Sequence, residues 1–96
     1  MITHLVFFRM KDTSSEGLAK TRDLILDLKD KIPDVLHMEV GVNVVAQSRA
    51  YDLALITKFP SLAALDAYQV HPEHLKLIEY MNEARREPSV SVDFES

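Results

Sequence analysis

The chain has 96 residues, no cysteine, and a formal charge of −4 from 11 basic and 15 acidic side chains. That length is one domain, and a domain so small buries only about two-thirds of its unfolded surface, so a partner subunit is worth having. The composition excludes disulfides and cysteine-based zinc, offers no basic block for nucleic acid or anionic membrane, and holds no apolar run near the roughly 20 residues of a membrane span. Met1 leads into a strand-like segment and not a signal peptide, so a cytoplasmic protein with neither nucleic-acid nor membrane partners is expected.

Ile2 to Met10 is largely apolar and rich in Val and Phe, and predicts a strand covered on both faces. Lys11 and Asp12 break it, and Thr13 with Glu16 stand at capping-box spacing before a helix. Leu18, Thr21, Ile25, Leu28 and Ile32 recur at steps of three and four along that helix, which Pro33 ends. From His37 to Val45 the pattern alternates, with Met38, Val40, Val42 and Val44 on one face of a second strand. Tyr51 to Phe59 predicts a third strand, stopped by Pro60 and Ser61, with Ser61 as an N-cap. Leu62, Leu65 and Tyr68 share one side of a short helix that Pro72 interrupts before a further helix carrying Leu75, Ile78 and Met81. Pro88 closes it, and Val90, Val92 and Phe94 alternate with Ser91 and Asp93 in a last strand.

The order βαββαβ, with the second helical unit split, is α+β and ferredoxin-like. The first strand has apolar residues of both parities, Val6 and Phe8 on one and Leu5 and Phe7 on the other. The sheet face away from the helices is therefore too apolar for water, and a homodimer packed sheet to sheet is expected.

The four histidines carry most of the chemistry on offer. His71 and His74 stand three apart around Pro72, with Glu73 and Glu79 near. A metal is one reading of that cluster, but the proline break separates the two rings and no metal is expected. His74, in the first turn of a helix, faces the positive end of the macrodipole and is expected to be neutral, ready to accept a proton. Its other reading is a helix cap or a ring satisfied by a backbone carbonyl. Tyr68 aims its hydroxyl at the same space or packs as core. His4 has the parity of Val6 and Phe8 and points under the helices if that face meets them; its other readings are a satisfied core polar group or a place at the dimer seam. His71 reads as a turn or N-cap residue, and His37 as exposed. Asp93 and Glu95 read as a solvated edge, and Arg85, Arg86 and Glu87 as helix-terminal charges. No nucleophile elbow surrounds any serine, and two glycines cannot build a phosphate loop.

His4-Leu5-Val6-Phe7-Phe8-Arg9-Met10, Tyr51-Asp52-Leu53, Tyr68-x-x-His71-Pro72-x-His74 and Ser91-Val92-Asp93-Phe94-Glu95 together resemble the stress-responsive A/B barrel (Dabb) family. The resemblance implies ferredoxin-like subunits forming a dimeric α/β barrel. One plant branch of the family is a polyketide cyclase that closes a ring by aldol condensation without a cofactor. Its base is the second histidine of the His-Pro-x-His stretch, with a tyrosine partner. Carried onto this chain, the resemblance implies His74 and Tyr68 as catalytic residues and His4 at the cavity; Val6, Phe8 and His71 are expected beside His4 around a substrate. A cavity histidine of that branch is matched here by Leu53, which implies a different substrate. The expected function is a homodimer that binds a small aromatic or keto-acid ligand, with a cofactor-free cyclase or isomerase as the form an activity would take. A non-catalytic stress or assembly protein with a filled cavity is the alternative, and a monooxygenase-like activity is a weaker one.

Overall fold

The computed structural model describes residues 1–96. The elements run β1 (Ile2–Phe8), α1 (Ser15–Leu26), α2 (Leu28–Lys31), β2 (His37–Val42), β3 (Leu53–Phe59), α3 (Leu62–Gln69), α4 (Pro72–Ala84) and β4 (Val90–Glu95). The four strands form one antiparallel sheet in the order β2-β3-β1-β4, with the helices on one face. This is the ferredoxin-like arrangement that the element order predicts.

Directly opposed residues of an antiparallel pair share a face, so the registers His4↔Thr57, Val6↔Leu55 and Met38↔Thr57 fix the inner layer. Ile2, Val6, Phe8, Met38, Leu53, Leu55 and Phe59 are all buried there. The helical stripe predicted from the sequence meets them: Leu18, Thr21, Ile25, Leu28 and Ile32 are buried without exception.

Several boundaries differ from the sequence expectations. The N-cap of α1 is Ser14, whose hydroxyl accepts the Gly17 N–H at 3.1 Å, one residue after the Thr13 expected there. The first helical unit is also divided, at Asp27, where one N–H is shared between the Asp23 and Ile25 carbonyls. The apolar stripe runs through that hitch because Asp27 keeps α-helical dihedrals. β2 stops at Val42, and Val44 is 92 % exposed where the alternation placed it on the core face. Periodicity alone cannot see that no element lies above Val44. β3 begins at Leu53, because Asp52 turns its N–H to the Phe8 carbonyl and its carboxylate to the Met10 N–H at 2.7 Å.

The outer face of the sheet carries Leu5, Phe7 and Ile56, half-buried, beside Val90, Val92 and Phe94, exposed. Strand β4 therefore points its apolar phase away from the helices and its polar phase toward them. No helix is long and apolar enough to cross a membrane.

Candidate active site

The α3–α4 reversal sits over the inner face of β1 and β3, where Tyr68 meets His4 and Phe59. Ser61 caps α3 by accepting the Ala64 N–H at 3.1 Å, as its position predicts. Two residues past Gln69, His71 caps α4, its Nδ1 accepting the Glu73 N–H at 3.1 Å, and Pro72 takes the first turn, where a missing N–H costs nothing. The tight reversal brings Tyr68, from the last turn of α3, against His74, from the first turn of α4, with ring centroids 4.3 Å apart. Tyr68 also packs on Phe59 at 4.9 Å and on His4 at 6.2 Å.

The hydrogen bonds assign the tautomer of His74. Its Nδ1 lies 3.1 Å from the Gln69 carbonyl oxygen, one of the acceptors a helix leaves open at its C-terminus. A carbonyl can only accept, so Nδ1 carries the proton and Nε2 of the neutral ring keeps its lone pair. Burial holds His74 below its ordinary value of 6.5, against the opposing pull of the Gln69 hydrogen bond, with smaller pushes from His4 and His71. The neutral ring anticipated from the macrodipole thus owes its state first to desolvation.

Tyr68 is 1 % exposed, and its hydroxyl is buried with no hydrogen-bond partner. Burial raises its pKa far above the ordinary 10, so the phenol keeps its proton and remains a donor. A buried, unpaired hydroxyl costs about 1–3 kcal/mol, which marks it as a group in need of an explanation.

His4 is pinned from both sides. Its backbone carbonyl accepts from the Thr57 hydroxyl at 3.3 Å, and its Nδ1 donates to the carboxylate of Asp93, its cross-strand partner on β4. Asp93 is exposed on the edge strand, as its position predicts, and in addition pairs with His4. The polar phase of β4 faces the helix side, so Asp93 orients His4 and leaves Nε2 as the ring nitrogen without that tether. The signal was present in the alternation of β4, but only the register with β1 says which phase turns inward.

These groups line a cavity of about 320 Å³. His4, Val6, Phe8 and Leu55 form its floor, and Tyr68 and His74 form one end. Leu77, Ile78 and Met81 of α4 form its apolar wall. At the other end stand Asn82, Arg85, Ser89 and Ser91, none of which the sequence singled out as cavity residues. Of the side chains that could have filled this space, Leu65 packs in the core and Leu62 turns to solvent at 62 % exposure, so a void remains. The third-strand residue at the cavity is Leu55, while Leu53 lies in the core. His71 does not line the cavity; its ring is committed to the helix cap, which corrects its placement around a substrate. His37 is exposed and paired with Glu39 at 3.2 Å. No three His, Asp or Glu side chains converge as a metal-holding group.

A family model, the Stress Responsive A/B Barrel Domain, matches residues 2–96. No curated protein matches the sequence. Among solved structures, a dimeric ferredoxin-like protein of unknown function from Bacteroides fragilis is similar at 27 % identity and TM-score 0.82, covering 99 % of this chain and 95 % of that one. A protein from Arabidopsis thaliana is 18 % identical with TM-score 0.87, covering 100 % and 95 % of the two chains. A hydroxynitrile lyase from Passiflora edulis is 17 % identical with TM-score 0.83, covering 97 % and 90 %. The last two likenesses establish the shared fold.

Proposed function

Given that the chain belongs to the stress responsive A/B barrel (Dabb) family, we propose that it is a homodimeric, cofactor-independent enzyme that abstracts a proton next to a carbonyl. The observation that carries this reading is the buried, unpartnered Tyr68 hydroxyl, whose ring stands against His74 at the wall of a cavity that both residues line. An orphaned donor next to a neutral base suits a ligand oxygen that arrives with negative charge developing on it.

The Nε2 lone pair of His74 takes a proton from the carbon beside the carbonyl, and the C–H electron pair becomes the enolate. Tyr68 donates its O–H to the enolate oxygen and keeps its proton, because burial opposes phenolate. Where the enolate is conjugated with a C=C bond, return of the proton from the His74 imidazolium to the far carbon completes an isomerisation. Attack of the enolate carbon on a second carbonyl instead forms the ring C–C bond, and the resulting alkoxide takes the proton back from the His74 imidazolium. His4, held by Asp93, borders the same space and orients the ligand. The ligand is a small aromatic or keto-acid carbonyl compound.

The dimer forms through the outer sheet face, where six apolar side chains otherwise meet water. Dimeric assembly of the Bacteroides fragilis relative supports it. The alternative of a non-catalytic assembly protein calls for a filled interior, and the void counts against it. The monooxygenase idea rests on fold likeness alone.

The test uses 2-octanone in D₂O, with deuterium uptake beside the carbonyl followed by NMR. Wild-type protein accelerates the uptake, and His74→Asn, whose amide nitrogen replaces Nδ1 as donor to Gln69, lowers it by about 100-fold or more while the dimer persists. No uptake by the wild type, or equal uptake by H74N, defeats the acid/base reading. Loss of the dimer in H74N makes His74 structural.

A further inference from the structure

The end of the cavity opposite Tyr68 and His74 is polar, and nothing in the acid/base chemistry uses it. Arg85 is the C-cap of α4, half-buried, and is one of the residues lining the cavity at its solvent-facing end. Its backbone is fixed by the Arg85 N–H to Met81 carbonyl bond at 2.9 Å, the Arg86 N–H to Arg9 carbonyl bond at 2.8 Å and the bridge to Met10. Its guanidinium makes one side-chain hydrogen bond, Nη2 donating to the Asn82 Oδ1 at 2.9 Å. No carboxylate pairs with it, although the next acid along, Glu87, is taken by Arg9 at 2.7 Å. A guanidinium has five N–H donors and matches a carboxylate in a two-point fork. Arg85 is thus a cation at the cavity with most of its donors uncommitted.

From this geometry we infer that Arg85 receives a ligand carboxylate, and that the ligand of this site is an acid whose charged end lies far from its reacting carbonyl. The inference rests on the acid/base reading of Tyr68 and His74 and adds the substrate class. The spacing sets the length. His74 and Arg85 are eleven residues apart, three turns, so they share the cavity face of α4 with Cα atoms about 16 Å apart along the axis. The Arg85 guanidinium reaches back to Asn82, one turn nearer the histidine, while the His74 side chain leans the other way, toward the N-terminus of the helix. The gap that remains is longer than an α- or β-keto acid, whose carbonyl and carboxylate are separated by one carbon at most. A keto acid with several methylenes, or an aromatic ring, between the two groups spans it. Ile78 and Met81 supply the apolar wall for that spacer.

Two probes of equal length separate the claims: 7-oxooctanoate and uncharged 2-octanone, each titrated at neutral pH and followed by the ring signals of His74. Wild-type protein is expected to bind the oxo acid at least tenfold more tightly than the ketone, with both shifting His74. Acetoacetate gains no such advantage. In Arg85→Met, the two affinities converge, and Arg85→Lys restores part of the difference. Equal affinities in the wild type, or an undiminished preference in R85M, overturn the assignment of Arg85 while leaving His74 and Tyr68 in place. Failure of both probes to shift His74, together with no deuteration of 2-octanone, removes the acid/base site and this assignment with it. Because the wild-type comparison stands alone, a poorly folding variant does not spare the inference.

Discussion

A tyrosine hydroxyl without a partner in a buried position is a cost that an idle protein would have no reason to keep. Replacing Tyr68 by Phe removes the unpaired group and keeps the ring against Phe59 and His74. Y68F should therefore gain about 1 kcal/mol in unfolding free energy and lose deuteration activity, a stability gain traded against function. Urea unfolding and the exchange assay on the same sample check both halves. A destabilised Y68F means that the hydroxyl is satisfied in solution, and unchanged activity strikes it from the site. At this scale the sequence was informative about His74 and Tyr68, because a proline between them dictates a helix reversal. It placed Asp93 on a solvated edge and Arg85 at a helix end, and linked neither to the cavity. Asp93 reaches His4 through a strand register, and Arg85 reaches the cavity because of where α4 ends, and neither is encoded in local spacing.

Placement of the site depends on the joint between α3 and α4. Ser61 starts α3 and His71 starts α4, each with a side-chain cap. Ser61→Ala is expected to cost about 1 kcal/mol, measured by chemical denaturation, with Ser61→Gly costing less. A loss near zero would mean that tertiary packing alone sets the start of α3. Helices were readable from the sequence because their buried stripe is continuous; every residue of the Leu18-to-Ile32 stripe is in the core. Strand ends were less readable. Val44 and Tyr51 continue the alternation on paper, yet the β2–β3 pairing ends at Val42 and Leu53, and Asp52, just outside β3, bonds to Phe8 and Met10.

For the whole molecule, the outer sheet face decides the assembly. Val92 is 55 % exposed in the middle of β4, beside Leu5 on β1. In the proposed dimer, Val92→Lys places a charge in the interface and should yield a monomer by light scattering at micromolar concentration. The inner-face residues are untouched by that change, so the fold should persist. A dimer that survives V92K puts the interface elsewhere. The apolar parity of the first strand made this face legible in the sequence, and β4 extends it with Val90, Val92 and Phe94.

The acid/base chemistry stands on one ring in one protonation state, and ¹⁵N NMR of the histidine side chains across pH observes it directly. His74 should show a protonated Nδ1 and a free Nε2 at neutral pH, and take up its second proton only below 6.5. Addition of 2-octanone should shift Nε2. A His74 that titrates at or above 6.5, or that carries its neutral-state proton on Nε2, would contradict the base assignment and return the cavity to a structural role.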